Sequence, residues 1–213
     1  MAEEVLAFCG AFNPPTKAHI DIAEYAMNEL GLKKVIFIPS KSSYIINVQK
    51  KNHAFNDDLR LLFLKKIAST HPWMEICDYE LKQKNQPRTY VTLCYLREKG
   101  YAPHLLIGAD VFCNLETRWH NVFQIGKEFG YVVVDRVHED MDTEVEDLLE
   151  FDPFYQELIP YLDFLPIQDK DTLCMSSTDA RMYIEELESV RDELKAVLPE
   201  EIQKDLMKMI VTS

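Results

Sequence analysis

The chain has 213 residues, 47% of them apolar, and a formal net charge of −13 at pH 7. That length suits one domain able to bury most of its apolar surface, and the charge argues against general binding to nucleic acid or to an anionic membrane. The N-terminus Met-Ala-Glu-Glu lacks the pattern of a secretory signal, no apolar run reaches the length of a membrane span, and the five scattered cysteines include no Cys-x-x-Cys pair, so a reduced, cytoplasmic protein without a zinc framework is expected.

In chain order, Val5-Leu6-Ala7-Phe8 predicts a buried strand over 4–9. A helix over 17–30 follows, with Gly31 as its C-cap signal. Residues 34–39 form a second apolar strand, and 40–52 read as a polar loop of unusual length, the kind that is often functional. Asn56 or Asp57 is placed to cap a helix over 57–69, with Leu59, Leu62, Phe63, Lys66 and Ile67 on one side. Next come a strand over 74–79, a charged loop over 82–88, a helix over 89–99 and a strand over 103–108. Residues 114–125 are mostly helical in pattern, and 131–135 are a strand rich in β-branched residues. Residues 139–157 hold nine acidic groups, with Val145, Leu148 and Leu149 on one stripe, and predict a solvated helix punctuated by Pro153 and Pro160. A strand over 162–167 and helices over 178–189, 190–198 and 200–210 complete a single domain, 1–213. Strands alternating with helices imply an α/β fold with a mostly parallel, doubly wound sheet.

Four stretches carry chemistry. Gly10 to His19 is a strand-to-helix turn: Gly10 gives freedom and room for a ligand, Pro14 and Pro15 stiffen the bend, and the helix start offers N–H groups to phosphate. Thr16 and His19 add side-chain donors there. Met175-Ser176-Ser177-Thr178-Asp179-Ala180-Arg181 is a second hydroxyl-rich helix start, with Arg181 one turn in to fork onto phosphate oxygens; its plain alternative is a Ser N-cap beside a surface Arg. Gly108-Ala109-Asp110 follows a strand, so Asp110 is placed to accept from ribose hydroxyls, or simply to sit at a helix N-terminus. Nine residues on stands Trp119, which by itself reads as a core aromatic. Thr89 and Tyr90 open a helix, with Thr89 placed as its N-cap. His53, His71, His104, His120 and His138 form no ligand-spaced pair, so no metal site is expected.

The first turn, Gly10-Ala11-Phe12-Asn13-Pro14-Pro15 then Thr16-Lys17-Ala18-His19, resembles the signature of the nucleotidyltransferase α/β-phosphodiesterase superfamily, with Thr for its first His and Ala18 for a Gly. Ser176-Ser177-Thr178 and Arg181 resemble its C-terminal Ile-Ser-Ser-Thr-x-Ile-Arg motif. Gly108-Ala109-Asp110 through Leu115 and Trp119 is similar to a stretch of the nicotinate mononucleotide adenylyltransferases, as is Arg136 at a strand end. The Pro-His-Lys element of that family is absent, and Lys41 is the nearest replacement.

The resemblance implies a Rossmann-like fold and adenylyl transfer from ATP to a pyridine mononucleotide in NAD biosynthesis, with nicotinate mononucleotide the expected acceptor and the nicotinamide form left open. Other phosphate-bearing acceptors, such as phosphopantetheine, and a non-catalytic nucleotide-binding relative stay open too. It implies Thr16, His19 and Arg181 as catalytic residues. Gly10, Ala11, Phe12, Asn13, Gly108, Asp110, Ser176, Ser177 and Thr178 join them at ATP. The resemblance also assigns Phe12, Lys41, Thr89, Tyr90, Trp119 and Arg136 to the mononucleotide, with Trp119 stacking on the pyridine ring and the N–H groups of the Thr89–Tyr90 helix start holding the nicotinate carboxylate. Mg²⁺ is implied with the ATP, and homo-oligomerisation is left open.

Overall fold

The computed structural model describes residues 2–50, 54–137, 144–168 and 197–211. The six strands are β1 (Glu3–Gly10), β2 (Val35–Pro39), β3 (Met74–Ile76), β4 (Tyr101–Gly108), β5 (Tyr131–Val137) and β6 (Leu162–Gln168). They lie in one sheet in the order β3-β2-β1-β4-β5-β6, so the order turns between β1 and β4. β1 pairs parallel with β4 (Ala7 opposite Leu105), β4 with β5 (Ile107 opposite Val133) and β5 with β6 (Val133 opposite Phe164). Parallel strands covered on both faces are written as unbroken apolar runs. Val5, Leu6 and Ala7, then all of β2, then Tyr131 to Val134 are buried accordingly.

The helices are α1 (Lys17–Glu29), α2 (Ser42–Asn47), α3 (Asp57–Ala68), α4 (Tyr79–Lys82), α5 (Thr89–Glu98), α6 (Ala109–Phe112), α7 (Leu115–Arg118), α8 (Val122–Phe129), α9 (Glu144–Phe151), α10 (Pro153–Gln156) and α11 (Glu200–Val211). Two compact units share them: the described residues of Met1–Cys9, Ala23–Ile36 and Pro87–Asp169, and those of Gly10–Ile22, Phe37–Gln86 and Lys170–Ser213. The doubly wound parallel sheet was legible in advance, and so was Gly31 as the residue that ends α1, at φ +65°.

Several expectations are corrected. The loop over 40–52 contains α2, anchored by the fully buried Ile45. The expected strand over 74–79 stops at Ile76, and α4 starts three residues later. The mostly helical stretch around 114–125 is broken into α6, α7 and α8, with Asn121 in the left-handed region at φ +60° before α8. Residues 144–156 hold two helices, not one, because Pro153 starts α10 with Asp152 capping it. Helix 178–189 and most of helix 190–198 lie outside the described residues.

α3 shows the clearest local logic. Asn56 takes extended backbone angles and its side chain accepts from the Leu59 N–H at 2.8 Å, while Asp57 and Asp58 meet the positive end of the helix dipole. Its buried face is Arg60, Phe63, Leu64 and Ile67, a helical i, i+3, i+4, i+7 stripe; Leu62, expected on that face, is 47% exposed. Asn56→Ala is expected to destabilise the protein by about 1 kcal/mol. A lowered midpoint in urea with an unchanged slope would report it.

Candidate active site

The turn after β1 is held by its own side chains. Phe12 has φ +43°, a rare conformation for a bulky residue, and is 1% exposed. Its ring centre lies 5.3 Å from that of Phe37 and 5.2 Å, edge-on, from that of His19. A Cβ on Gly10 would stand 3.0 Å from the Phe12 ring. Gly10 therefore makes room for Phe12 rather than for a ligand, and its φ is not positive. The Phe12 ring belongs to the core, which leaves only its backbone for a nucleotide. Asn13 is fully buried and its Oδ1 accepts from the Phe55 N–H at 2.8 Å, so its side chain shapes the turn; the Asn13–Pro14 peptide is cis. Ala18 is 4% exposed, so its methyl group lies within the protein.

Thr16 and His19 form one device. The Thr16 N–H lies 3.0 Å from His19 Nδ1, and Thr16 Oγ1 lies 2.7 Å from the same nitrogen. A backbone N–H can only donate, so Nδ1 is the acceptor, and a neutral imidazole then carries its proton on Nε2. Thr16 is fully buried while His19 is half-buried. Thr16 thus holds His19 in place through both its N–H and its hydroxyl. His19, held in the tautomer with Nε2 as donor, is equipped to hydrogen-bond an anionic oxygen.

Lys41 precedes α2. Its N–H donates to Gln86 Oε1 at 2.8 Å and its Nζ to the Leu81 carbonyl at 2.7 Å. The expected replacement for a phosphate-binding Lys is thus engaged with the protein. Beside it lies Arg60, a residue that reading apolar periodicity passes over. It is fully buried, and its guanidinium reaches the carbonyls of Ala11 at 2.6 Å and Ser40 at 2.5 Å. The one signal for it was its spacing with Phe63, Leu64 and Ile67.

In the other unit, β4 ends at Gly108, which precedes α6 in an extended conformation. A Cβ there would stand 2.7 Å from Asp110 Oδ1, so Gly108 leaves the space that this carboxylate takes up. Asp110 itself is exposed, as a ribose acceptor must be. Trp119 is half-buried at the end of α7, with its N–H on the Leu115 carbonyl at 3.1 Å. At α5 the residue before the helix is Arg88, which makes no side-chain cap, so Thr89 is the first helical residue and not the cap. The Val91 N–H already reaches the Arg88 carbonyl at 2.9 Å, which leaves the Thr89 and Tyr90 N–H groups outside the helix's own ladder. The Tyr90 hydroxyl donates to Glu128 at 3.0 Å and accepts from Gln124 at 2.8 Å. Arg97 pairs with the same Glu128 at 2.7 Å and, with Gln124 and Tyr90, holds that carboxyl below its ordinary pKa. The Tyr90 hydroxyl is thus engaged within the protein. Asp135, on β5, is buried, and its Oδ2 has no hydrogen-bond partner among the described residues.

Arg136 lies inside β5, not at its end, opposite Ile167 in β6. Its side chain lies outside the described residues, as do Ser176, Ser177, Thr178 and Arg181. Among the described residues no three His, Cys, Asp or Glu side chains gather to hold a metal, and no helix is long and apolar enough to cross a membrane.

Residues 7–183 match the cytidylyltransferase-like family. The probable nicotinate-nucleotide adenylyltransferase of Clostridium tetani is 30% identical over 190 residues, covering 87% of this chain and 88% of that protein. Its counterpart in Clostridium perfringens (strain SM101) is 33% identical over 174 residues, covering 80% and 84%. The solved nicotinic acid mononucleotide adenylyltransferase of Plasmodium falciparum, complexed with NaAD, superposes with a TM-score of 0.75 over 99% of this chain and 95% of its own, at 16% identity, a likeness of fold. The family match and the two curated relatives agree: this chain belongs to the cytidylyltransferase-like family, among the nicotinate-nucleotide adenylyltransferases.

Proposed function

We propose that the protein transfers the adenylyl group of ATP to nicotinate mononucleotide, giving the dinucleotide and pyrophosphate. The observation that carries this reading is the Thr16–His19 pair, which fixes a donor nitrogen at a strand-to-helix turn in a member of this family. A phosphate oxygen of the mononucleotide attacks the α-phosphorus in line. The new oxygen–phosphorus bond forms as the bond from the α-phosphorus to the pyrophosphate oxygen breaks, and pyrophosphate departs with the electron pair. A phosphate monoester is already a nucleophile, so neither a covalent enzyme intermediate nor a strong base is needed. Catalysis then rests on placing two anions and stabilising the charge that develops.

His19 Nε2–H hydrogen-bonds the ATP phosphates, with Thr16 as its orienting partner. The backbone from Gly10 to Asn13 lines the nucleotide. Asp110, beyond Gly108, accepts from the ribose. Ser176, Ser177, Thr178 and Arg181 supply the second anion-binding helix start. For the acceptor, Trp119 stacks on the pyridine ring, the Thr89 and Tyr90 N–H groups take the nicotinate carboxylate, and Arg136 takes negative charge. Lys41 contributes only if it leaves the Leu81 carbonyl. In support, β1 and β4 are adjacent, the order turns between them, and ligands of open α/β sheets bind outside the carboxyl ends of strands at such a turn. Mg²⁺ accompanies the triphosphate as part of the substrate. The described residues gather no cage for it, and no step is assigned to it.

The test is pyrophosphate release from ATP against a panel of nicotinate mononucleotide, nicotinamide mononucleotide and phosphopantetheine. The highest kcat/KM is expected for the nicotinate form. Release with another acceptor alone, or with none, would overturn the assignment.

A further inference from the structure

Arg60 stands on α3, one turn in, where its charge is sealed from water: it is 0% exposed. All three guanidinium nitrogens donate. Nη1 donates to the Ala11 carbonyl at 2.6 Å and Nε to the Phe55 carbonyl at 3.2 Å. Nη2 donates to the Ser40 carbonyl at 2.5 Å, Asp57 Oδ1 at 2.7 Å and Ser42 Oγ at 3.3 Å. One side chain thus ties together three backbone segments that are far apart in sequence. Burial pulls the guanidinium pKa down while Asp57 opposes that pull, and an arginine stays charged even so. Asp57 answers in kind: burial alone would raise its pKa, but hydrogen bonds from Ser42 and Arg60 hold it below the ordinary value.

The consequence lies in the peptide plane. A trans peptide points its C=O and N–H in opposite directions. Holding the Ala11 oxygen on Arg60 turns the Phe12 N–H away from α3. The Ser40–Lys41 peptide illustrates the rule: its oxygen is on Arg60, and its N–H meets Gln86 Oε1 at 2.8 Å. Residue Phe55 takes the other side of the turn: its N–H, in the peptide before it, donates to Asn13 Oδ1 at 2.8 Å, and its carbonyl, in the peptide after it, accepts from Arg60. The turn is therefore gripped at Ala11 and at Asn13, on either side of Phe12 with its strained φ of +43°.

We propose that Arg60 is a positioning residue for adenylyl transfer: by clamping the Ala11 carbonyl it aims the Phe12 N–H and fixes the turn that leads into Thr16 and His19, without touching a nucleotide. This rests on the reading of that turn as the ATP site. Lysine cannot replace it, because a single ammonium with three donors does not span three carbonyls and a carboxylate.

The experiment compares Arg60→Lys with Leu64→Ala, a truncation on the same buried face that makes none of these hydrogen bonds. Arg60→Lys is expected to fold, to lose about 10²-fold in kcat, and to keep its KM for the mononucleotide. It is also expected to move the Phe12 amide resonance in ¹H–¹⁵N spectra. Leu64→Ala is expected to lower the melting temperature while kcat and the Phe12 resonance stay put. Should the lysine variant fail to fold, Arg60→Gln, which buries no charge, carries the same expectation. Retained kcat in the Arg60 variant, or kcat falling in both variants in step with melting temperature, would overturn the proposal. The Phe12 resonance needs no turnover, so an unmoved resonance refutes the clamp by itself. A wild-type protein inert toward every mononucleotide would instead refute the assigned reaction.

Discussion

His19→Ala is expected to lower kcat by about 10³-fold while leaving the fold intact, because it removes one preorganised donor from the site where negative charge grows. The variant should fold because His19 is half-buried, and the contacts in which it takes part include the edge of the Phe12 ring and the N–H and hydroxyl of Thr16. Phe12 keeps Phe37 as a partner at 5.3 Å. The companion variant Thr16→Val keeps the shape of the side chain and the backbone N–H but deletes the 2.7 Å hydroxyl contact to Nδ1. It should cost about tenfold in kcat, roughly one hydrogen bond's worth of orientation. If Thr16 instead met phosphate directly, its loss would rival that of His19. Steady-state kinetics on both variants, with circular dichroism as the control for folding, separate the two roles. A His19→Ala enzyme turning over at a near-normal rate would remove the residue from the chemistry.

The second large effect concerns Trp119. Stacking of a flat ring on an indole is worth about 1–3 kcal/mol. Trp119→Ala should accordingly raise the KM for the mononucleotide by about 5- to 150-fold, with little change in the KM for ATP. Trp119→Phe should fall between, since a smaller ring still offers a face. The half-exposure of Trp119 leaves surface for a ligand, whereas a core aromatic such as Phe112 has none. Equal rises in both constants would show that the indole supports the site as a whole and does not hold the pyridine.

What the amino-acid sequence disclosed follows from how each feature is encoded. β1, β2 and β5 were legible because strands of a parallel sheet are buried on both faces, which leaves an apolar run with a turn at its end. α2 was not legible. It has six residues, too few to show a period, and its single buried side chain, Ile45, looks like any isoleucine in a loop. The breaks among α6, α7 and α8 turn on Asn114 and Asn121, which begin two of the pieces with no side-chain cap. The Thr16–His19 contact was foreseeable in part, since residues three apart on a helix start are neighbours. What spacing does not reveal is burial, and Thr16 is fully buried while His19 is not. Arg60 was hidden for the opposite reason: a method that scores a core by hydrophobicity sets every arginine outside it. Only the acceptors Ala11, Ser40, Phe55 and Asp57 make its burial tolerable.

The direction of attack is best tested with nicotinate mononucleotide carrying ¹⁸O in its phosphate, incubated with unlabelled ATP and the enzyme. The account predicts a dinucleotide that retains the label, including the bridging oxygen, and pyrophosphate that contains none. Label in the pyrophosphate, or an adenylylated protein that forms before the mononucleotide is added, would contradict it.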